Sequence, residues 1–467
     1  MTTDLALMPA TDLVLLYSKK DASPVEAAQA ALDRIEKFNP IFNAFRVVDA
    51  EGALKAARES EARWANGTPA GLIDGVPTTI KDILLTKGLA TLRGSKTVDE
   101  DQDWSVDAPA VARLREQGAV LLGKTTTPEF GWKGVTDSPL TGITRNPWNK
   151  ELTPGGSSGG AAAAAVTGMG TLHIGTDGGG SIRIPSALTG LFGMKASFGT
   201  VPAWPPSPFG TLANVGPMTR DVGDAALMLS VIAGADARDW YALPTGGHDY
   251  RLGLDASMRG TKIAFAAAPG GIEVEPDIAA LIAGAVRTFA DLGAEIEEAE
   301  PPIAGAGDIF TKHWFAGAAH LLKDFTPSQK AEMDPGLIAC AGLGEAISQA
   351  DYIAALDGRQ TLGFAMQEFM QDYDLLLTPT LPVAAFPAGQ IAPDKKGGEQ
   401  WVDWTPWTYP FNLTRQPVAS IPCGLTGAGL PAALQIVGPM YGEAAVLRAA
   451  RAFEEAQPWA LPPVATG

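Results

Sequence analysis

The chain has 467 residues, 46% of them hydrophobic, and carries 35 Lys and Arg against 52 Asp and Glu for a formal net charge of −17. So acidic a chain, with no Lys/Arg cluster, repels phosphate backbones and anionic lipid, which argues against nucleic-acid and membrane partners. No apolar run reaches the length of a membrane helix, Met1-Thr2-Thr3-Asp4 lacks a basic n-region, and two cysteines, Cys340 and Cys423, cannot build a disulfide framework. A cytoplasmic protein is expected. Neither a linker-like block nor an internal repeat divides the chain, so a single domain over residues 1–467 is expected.

In chain order, Ser23-Pro24-Val25-Glu26 forms a capping box with proline at the first helical position. Val25, Ala28, Leu32 and Ile35 mark one apolar face, and Asn39-Pro40 predicts the helix end. A second helix is expected at 49–64, then a strand at 76–80 that delivers Lys81 at its end. A helix over 108–117 stops at Gly118 and feeds a strand at 119–122. Later come a strand at 262–265, an amphipathic helix at 275–292 and a closing helix at 442–455. The apolar runs 375–377, 418–421 and 433–437, bounded by Pro or Gly, suit buried central strands. This alternation predicts an α/β sheet with helices on both faces.

The chemistry concentrates in three segments: Lys81 in Gly75-Val76-Pro77-Thr78-Thr79-Ile80-Lys81-Asp82, Gly155-Gly156-Ser157-Ser158-Gly159-Gly160, and Asp177-Gly178-Gly179-Gly180-Ser181-Ile182-Arg183. A serine is a poor nucleophile without a base in hydrogen-bond reach. Consecutive glycines let backbone N–H groups crowd together, as an oxyanion hole requires. A lysine can act as the base if burial lowers its pKa from about 10.4. The plainer reading of Lys81, a surface ion pair with Asp82, loses ground because both serine loops accompany it. A phosphate-cradle reading of the triple glycine fails because no Gly-Lys-Ser/Thr follows and Asp177 would repel the anion.

These segments, with Gly216-Pro217-Met218 and Leu434-Gln435-Ile436-Val437-Gly438-Pro439, resemble the amidase signature family of serine hydrolases. The signature core spans about 75–220, and characteristic pieces extend from about 23 to 455. The resemblance implies one α/β/α sandwich around a large twisted mixed β-sheet. It implies Ser181 as nucleophile, Ser157 as the bridging serine with a non-proline cis peptide bond, and Lys81 as base. The oxyanion hole would then be the backbone of Gly178, Gly179, Gly180 and Ser181; many relatives carry a side chain at the place of Gly178. Asp177 and Arg183 would tie the nucleophile loop in place. No cofactor and no metal is expected.

Aromatic residues near the catalytic segments, Phe130, Trp132, Trp204 and Phe209, are candidate pocket walls, and Arg415 is a candidate substrate contact near a pocket strand. The run Trp401-Val402-Asp403-Trp404-Thr405-Pro406-Trp407 could line a pocket or simply pack. The expected reaction is cleavage of apolar, aryl amides or carbamates through an acyl-enzyme. The expected partner is that small molecule, with a homodimer as an option. The alternative is the glutamine-hydrolysing amidase subunit of a tRNA-dependent amidotransferase. Two further readings are weaker. An α/β-hydrolase esterase built on Gly155-Gly156-Ser157-Ser158-Gly159 would need a late histidine, and the four histidines, His173, His248, His313 and His320, all precede the last 147 residues. A binding-only protein would have no reason to keep Lys81, Ser157 and Ser181 together.

Overall fold

The structure is a computed structural model that describes residues 4–244, 247–393 and 400–466; Met1 to Thr3 of the N-terminal stretch lie outside them. Among these residues eleven strands join into one sheet. They are β1 (Phe45–Val48), β2 (Pro77–Lys81), β3 (Val120–Thr125), β4 (Leu172–Asp177), β5 (Phe192–Lys195), β6 (Asn214–Thr219), β7 (Lys262–Phe265), β8 (Glu295–Glu298), β9 (Leu375–Pro379), β10 (Val418–Leu425) and β11 (Pro431–Val437). Their order across the sheet is β1-β3-β2-β4-β6-β5-β10-β11-β9-β7-β8. Pairings are parallel at β3-β2-β4 and β9-β7-β8, and antiparallel at the β1 edge and through the centre. This is the mixed α/β sheet that the sequence predicted.

The apolar runs behave as buried strands do: β3, β9 and β11 are buried along their whole length. Helices Val222–Ile232, Pro276–Asp291 and Glu443–Ala456 contribute Leu227, Phe289 and Phe453 to the largest core cluster, which includes Leu434 and Ile436 of β11. A second cluster gathers Phe310 and Trp314 of helix Ala306–Leu322 with Trp401, Trp404 and Phe386.

One predicted boundary is corrected. Asn39-Pro40 does not end the first predicted helix, which runs from Pro24 to Phe42 and closes at Asn43 in a left-handed conformation, φ 51°. Only the last turn lacks the N–H that proline removes, and Phe38 and Phe42 bury their rings there. The Asn39 carboxamide oxygen instead receives the N–H groups of Ala44 and Phe45, both at 2.8 Å, and so starts β1.

Parallel pairing positions the site. Thr78 pairs with Leu172 and Ile80 with Ile174, so β2 and β4 end at the same sheet edge. Lys81 is the last residue of one strand and Asp177 the last of its neighbour. Ligand sites in open α/β sheets gather at such carboxyl ends.

Candidate active site

The Gly155-Ser158 loop crosses this edge in close contact with the rest of the chain. A Cβ on Gly156 would sit 2.6 Å from the Val135 backbone, so only glycine lets the loop lie there. The following Gly156–Ser157 peptide is cis. Ser158 then caps helix Gly159–Val166, and its N–H donates to the Ser181 carbonyl at 3.1 Å, joining the two serine loops.

Lys81 is fully buried. Its Nζ lies 2.7 Å from Ser157 Oγ, 2.8 Å from Ser158 Oγ and 2.9 Å from Thr176 Oγ1. Burial pushes its pKa well below the ordinary lysine value, with the Asp177 carboxylate acting the other way. A neutral amine has two N–H donors and one lone pair. The Ser158 hydroxyl donates to the Thr176 carbonyl at 3.2 Å, so towards Lys81 it acts as an acceptor. With Ser158 and Thr176 taking the two N–H groups, the lone pair is left for the Ser157 hydroxyl. The geometry therefore distinguishes two adjacent serines that the sequence did not.

Asp177 and Arg183 do tie the Ser181 loop. The guanidinium makes a two-pronged pair with the carboxylate, 2.9 Å from Nε and 3.0 Å from a terminal nitrogen, and both side chains are fully buried. Asp177 also accepts from the N–H groups of Gly180 at 2.8 Å and Ile182 at 3.3 Å, and from the Asn412 carboxamide at 2.9 Å. Burial opposes its ionisation, yet Arg183 and Asn412 overcome this and hold its pKa well below the carboxylate range.

That network corrects the expected oxyanion set. The Gly180 N–H is already bound to Asp177, so it cannot serve a substrate oxygen. The N–H groups of Gly178, Gly179 and Ser181 have no acceptor among the described residues. The glycine identities follow from the aromatic packing behind the loop. A Cβ at Gly179 would meet Phe310 at 2.7 Å and Trp401 at 2.8 Å, and one at Gly178 would meet the Trp314 ring at 3.0 Å.

Ser157 and Ser181 line a cavity of about 160 Å³. Phe130, Trp204 and Phe209 line it too, as do Trp314 and Arg93, neither of which the sequence reading singled out. Trp314 stacks on Phe209 with ring centroids 3.7 Å apart and planes within 7°. Trp132 is a correction: it is buried away from the cavity, with its indole N–H on Asp334 at 3.2 Å. Arg415 is another. It lines a separate groove of about 910 Å³ that shares the Pro208-Phe209 wall, and its guanidinium sits 4.8 Å over the Phe198 ring. The tryptophans of 401–407 pack into the core, each buried. No histidine is among the described residues of the serine cavity, and buried His173 engages Thr79 at 2.8 Å with its pKa pushed down by burial to about 3.

With this geometry established, three comparisons agree. The amidase family description matches residues 26–447. The acylamidase of Rhodococcus erythropolis is 37% identical over 97% of this chain and 96% of its own. The amidase-related component of the glutamyl-tRNA(Gln) amidotransferase of Geobacter metallireducens is 35% identical over 94% and 95%. Among solved structures, a bacterial aryl acylamidase of the amidase signature family superposes with a TM-score of 0.93 at 32% identity, covering 100% of this chain and 99% of its own. The 6-aminohexanoate cyclic dimer hydrolase follows at 0.89 and 27%, covering 99% and 100%. The buried lysine, the paired serine loops and these relatives lead to one conclusion: the chain belongs to the amidase signature family and is an amidase that hydrolyses carbon–nitrogen bonds.

Proposed function

We propose that this amidase hydrolyses apolar aryl amides or aryl carbamates, with Ser181 as nucleophile, Ser157 as proton relay and Lys81 as base. The observation that carries the catalytic part is the hydrogen-bond pattern at Lys81, whose one uncommitted direction is towards Ser157. In the forward step Lys81 accepts the Ser157 hydroxyl proton as Ser157 takes the Ser181 proton. Ser181 Oγ forms a bond to the carbonyl carbon, and the oxyanion turns towards the uncommitted N–H groups of Gly178, Gly179 and Ser181. The proton returns through Ser157 to the nitrogen, the C–N bond breaks and the amine departs. Water then adds to the acyl-enzyme by the same route, releasing the acid and restoring Ser181.

The substrate class rests on the wall. A volume of about 160 Å³ is comparable with the roughly 150 Å³ known to hold a benzene ring. Phe130, Phe209 and Trp314 offer ring faces and edges to an aryl group. The acylamidase relative and the aryl acylamidase neighbour support the same class. A carbamate presents the same carbonyl and is attacked in the same way. The glutaminase reading has the amidotransferase relatives in its favour, but a bound amino acid brings an ammonium group. No acidic residue is among the described residues that line the cavity, so that charge would be buried without a partner. A panel of acetanilide, an aryl carbamate, an aliphatic amide and glutamine decides the matter. Turnover of the aryl compounds at least roughly tenfold above glutamine in kcat/KM is expected. Glutamine matching the anilide would overturn the aryl reading.

A further inference from the structure

We infer that Arg93 is a specificity-determining residue of the serine cavity and selects substrates that carry a carboxylate. This deepens the aryl-amide reading and rests on it. Arg93 is the only charged side chain among the described residues lining the cavity that holds Ser157 and Ser181. Its backbone is fixed beside the aromatic wall: φ is 56°, and its carbonyl accepts the Phe130 N–H at 2.7 Å.

The guanidinium, however, has no hydrogen bond or ion pair among the described residues. Other buried arginines of this chain are fully engaged. Arg183 holds Asp177, Arg220 donates to the carbonyls of Ala165 and Gly170, and Arg359 donates to those of Leu413 and Asn412. The nearby anion, Asp82, is already paired with Arg46 at 2.8 Å and has Lys124 at 3.8 Å. Arg93 is therefore a half-buried cation with five N–H donors, set in an apolar wall and left open on the cavity side.

A guanidinium fork matches the two oxygens of a carboxylate, and such charge-assisted pairs are stronger where water is scarce. An aryl amide could place its ring against Phe130, Phe209 and Trp314 and its carboxylate on Arg93. The carboxylate could be borne by the departing arylamine or by the acyl half, and matched substrates separate the two. For the amine side, 4-acetamidobenzoate is compared with 4-acetamidoacetophenone, which has similar ring electronics and no charge. For the acyl side, N-phenylsuccinamate is compared with N-phenyl-4-oxopentanamide.

In the wild-type enzyme one carboxylate substrate should exceed its neutral match by about tenfold or more in kcat/KM. Arg93→Met should bring that ratio towards one, and Arg93→Lys should keep part of it. Raising the ionic strength should shrink the wild-type ratio, a reading that stands even if the variants do not fold. The inference is overturned if both wild-type ratios are at or below one, or if Arg93→Met leaves the ratio unchanged. Turnover of the neutral anilides tells the two readings apart. With those turned over and ratios at or below one, only the role of Arg93 falls. With every anilide inert and glutamine hydrolysed, the aryl-amide reading falls and this inference with it.

Discussion

The loop from Asp177 to Ile182 and the loop from Trp204 to Phe209 face one cavity but are held by different forces. The first is buried and polar: Arg183, Asn412 and two backbone N–H groups converge on the Asp177 carboxylate, and Thr408 donates to the Gly179 carbonyl at 2.6 Å. The second is partly exposed and apolar. It is anchored by Ala203 N–H on Asp239 at 2.8 Å and by the Phe209–Trp314 stack, with Pro205 and Pro206 open to solvent. Directional bonds in a dry interior hold atoms to a narrow geometry, which acyl transfer needs. Stacked rings tolerate sliding and substitution, which suits a wall that discriminates among substrates. Damage to the first region should thus abolish chemistry or folding, whereas damage to the second should re-rank substrates.

The largest effect is expected at Ser181. Ser181→Ala should lower kcat on the order of 10⁶-fold while the melting temperature stays near the wild-type value. A serine-directed covalent reagent should label Ser181 in the native enzyme. An adduct mapped by mass spectrometry to Ser157 or Ser158 would reassign the nucleophile.

Lys81→Ala should come next, with a loss of about 10²–10⁴-fold on an anilide. The loss on an activated aryl ester should be smaller, since an aryl oxide leaves without a proton and an amine does not. Equal losses for a matched amide and ester would remove the relay role. The wild-type pH profile carries a further check. Burial holds the Lys81 pKa below its ordinary value, and only the neutral amine can accept a proton. So kcat/KM should rise with pH through that depressed value, and Lys81→Ala should lose this limb of the profile.

Asp177→Asn tests the same region through stability. Removing one partner of a buried ion pair leaves Arg183 uncompensated, at a cost of about 3–5 kcal/mol, measurable as a shift in the denaturant midpoint. The sign with pH follows from the depressed carboxylate pKa: the stabilisation is present above the unfolded value of about 3.9 and lost as pH falls through the lower folded value. The variant's disadvantage should therefore narrow in strong acid. A constant difference across pH would exclude the ion pair as its source.

The smallest change is expected in the wall. Phe209→Ala removes the stacking partner of Trp314, so the preference for an anilide over an aliphatic amide should fall by about 0.5–1.5 kcal/mol, roughly two- to tenfold. Loss of activity on both substrates alike would mean that Phe209 supports the nucleophile loop and does not choose the substrate.

The two regions also differ in how much of them could be read beforehand. The meeting of Lys81 with the Ser157 loop was legible because each depends on local chemistry. A strand end delivers the lysine, and runs of glycine permit backbone close to Val135 and to the Trp314 ring. Buried strands such as β9 and β11 were likewise visible as short apolar runs between Pro and Gly. The helix end at Asn39-Pro40 was misplaced because burial of Phe42 and the Asn39 contacts to Ala44 and Phe45 outweigh the local signal of proline.

The amino-acid sequence by itself determined the residue types of the chemistry, their loops and the α/β order of the elements, since these depend on backbone permission and periodicity over short spans. Tertiary structure alone decided the rest. It put Trp314 and Arg93 in the cavity, turned Trp132 towards Asp334 and Arg415 towards Phe198, and committed the Gly180 N–H to Asp177. Phe209 and Trp314 stand 105 positions apart in sequence and 3.7 Å apart in space. No local pattern encodes such a contact, because the stack forms only when the sheet brings the two segments to one edge.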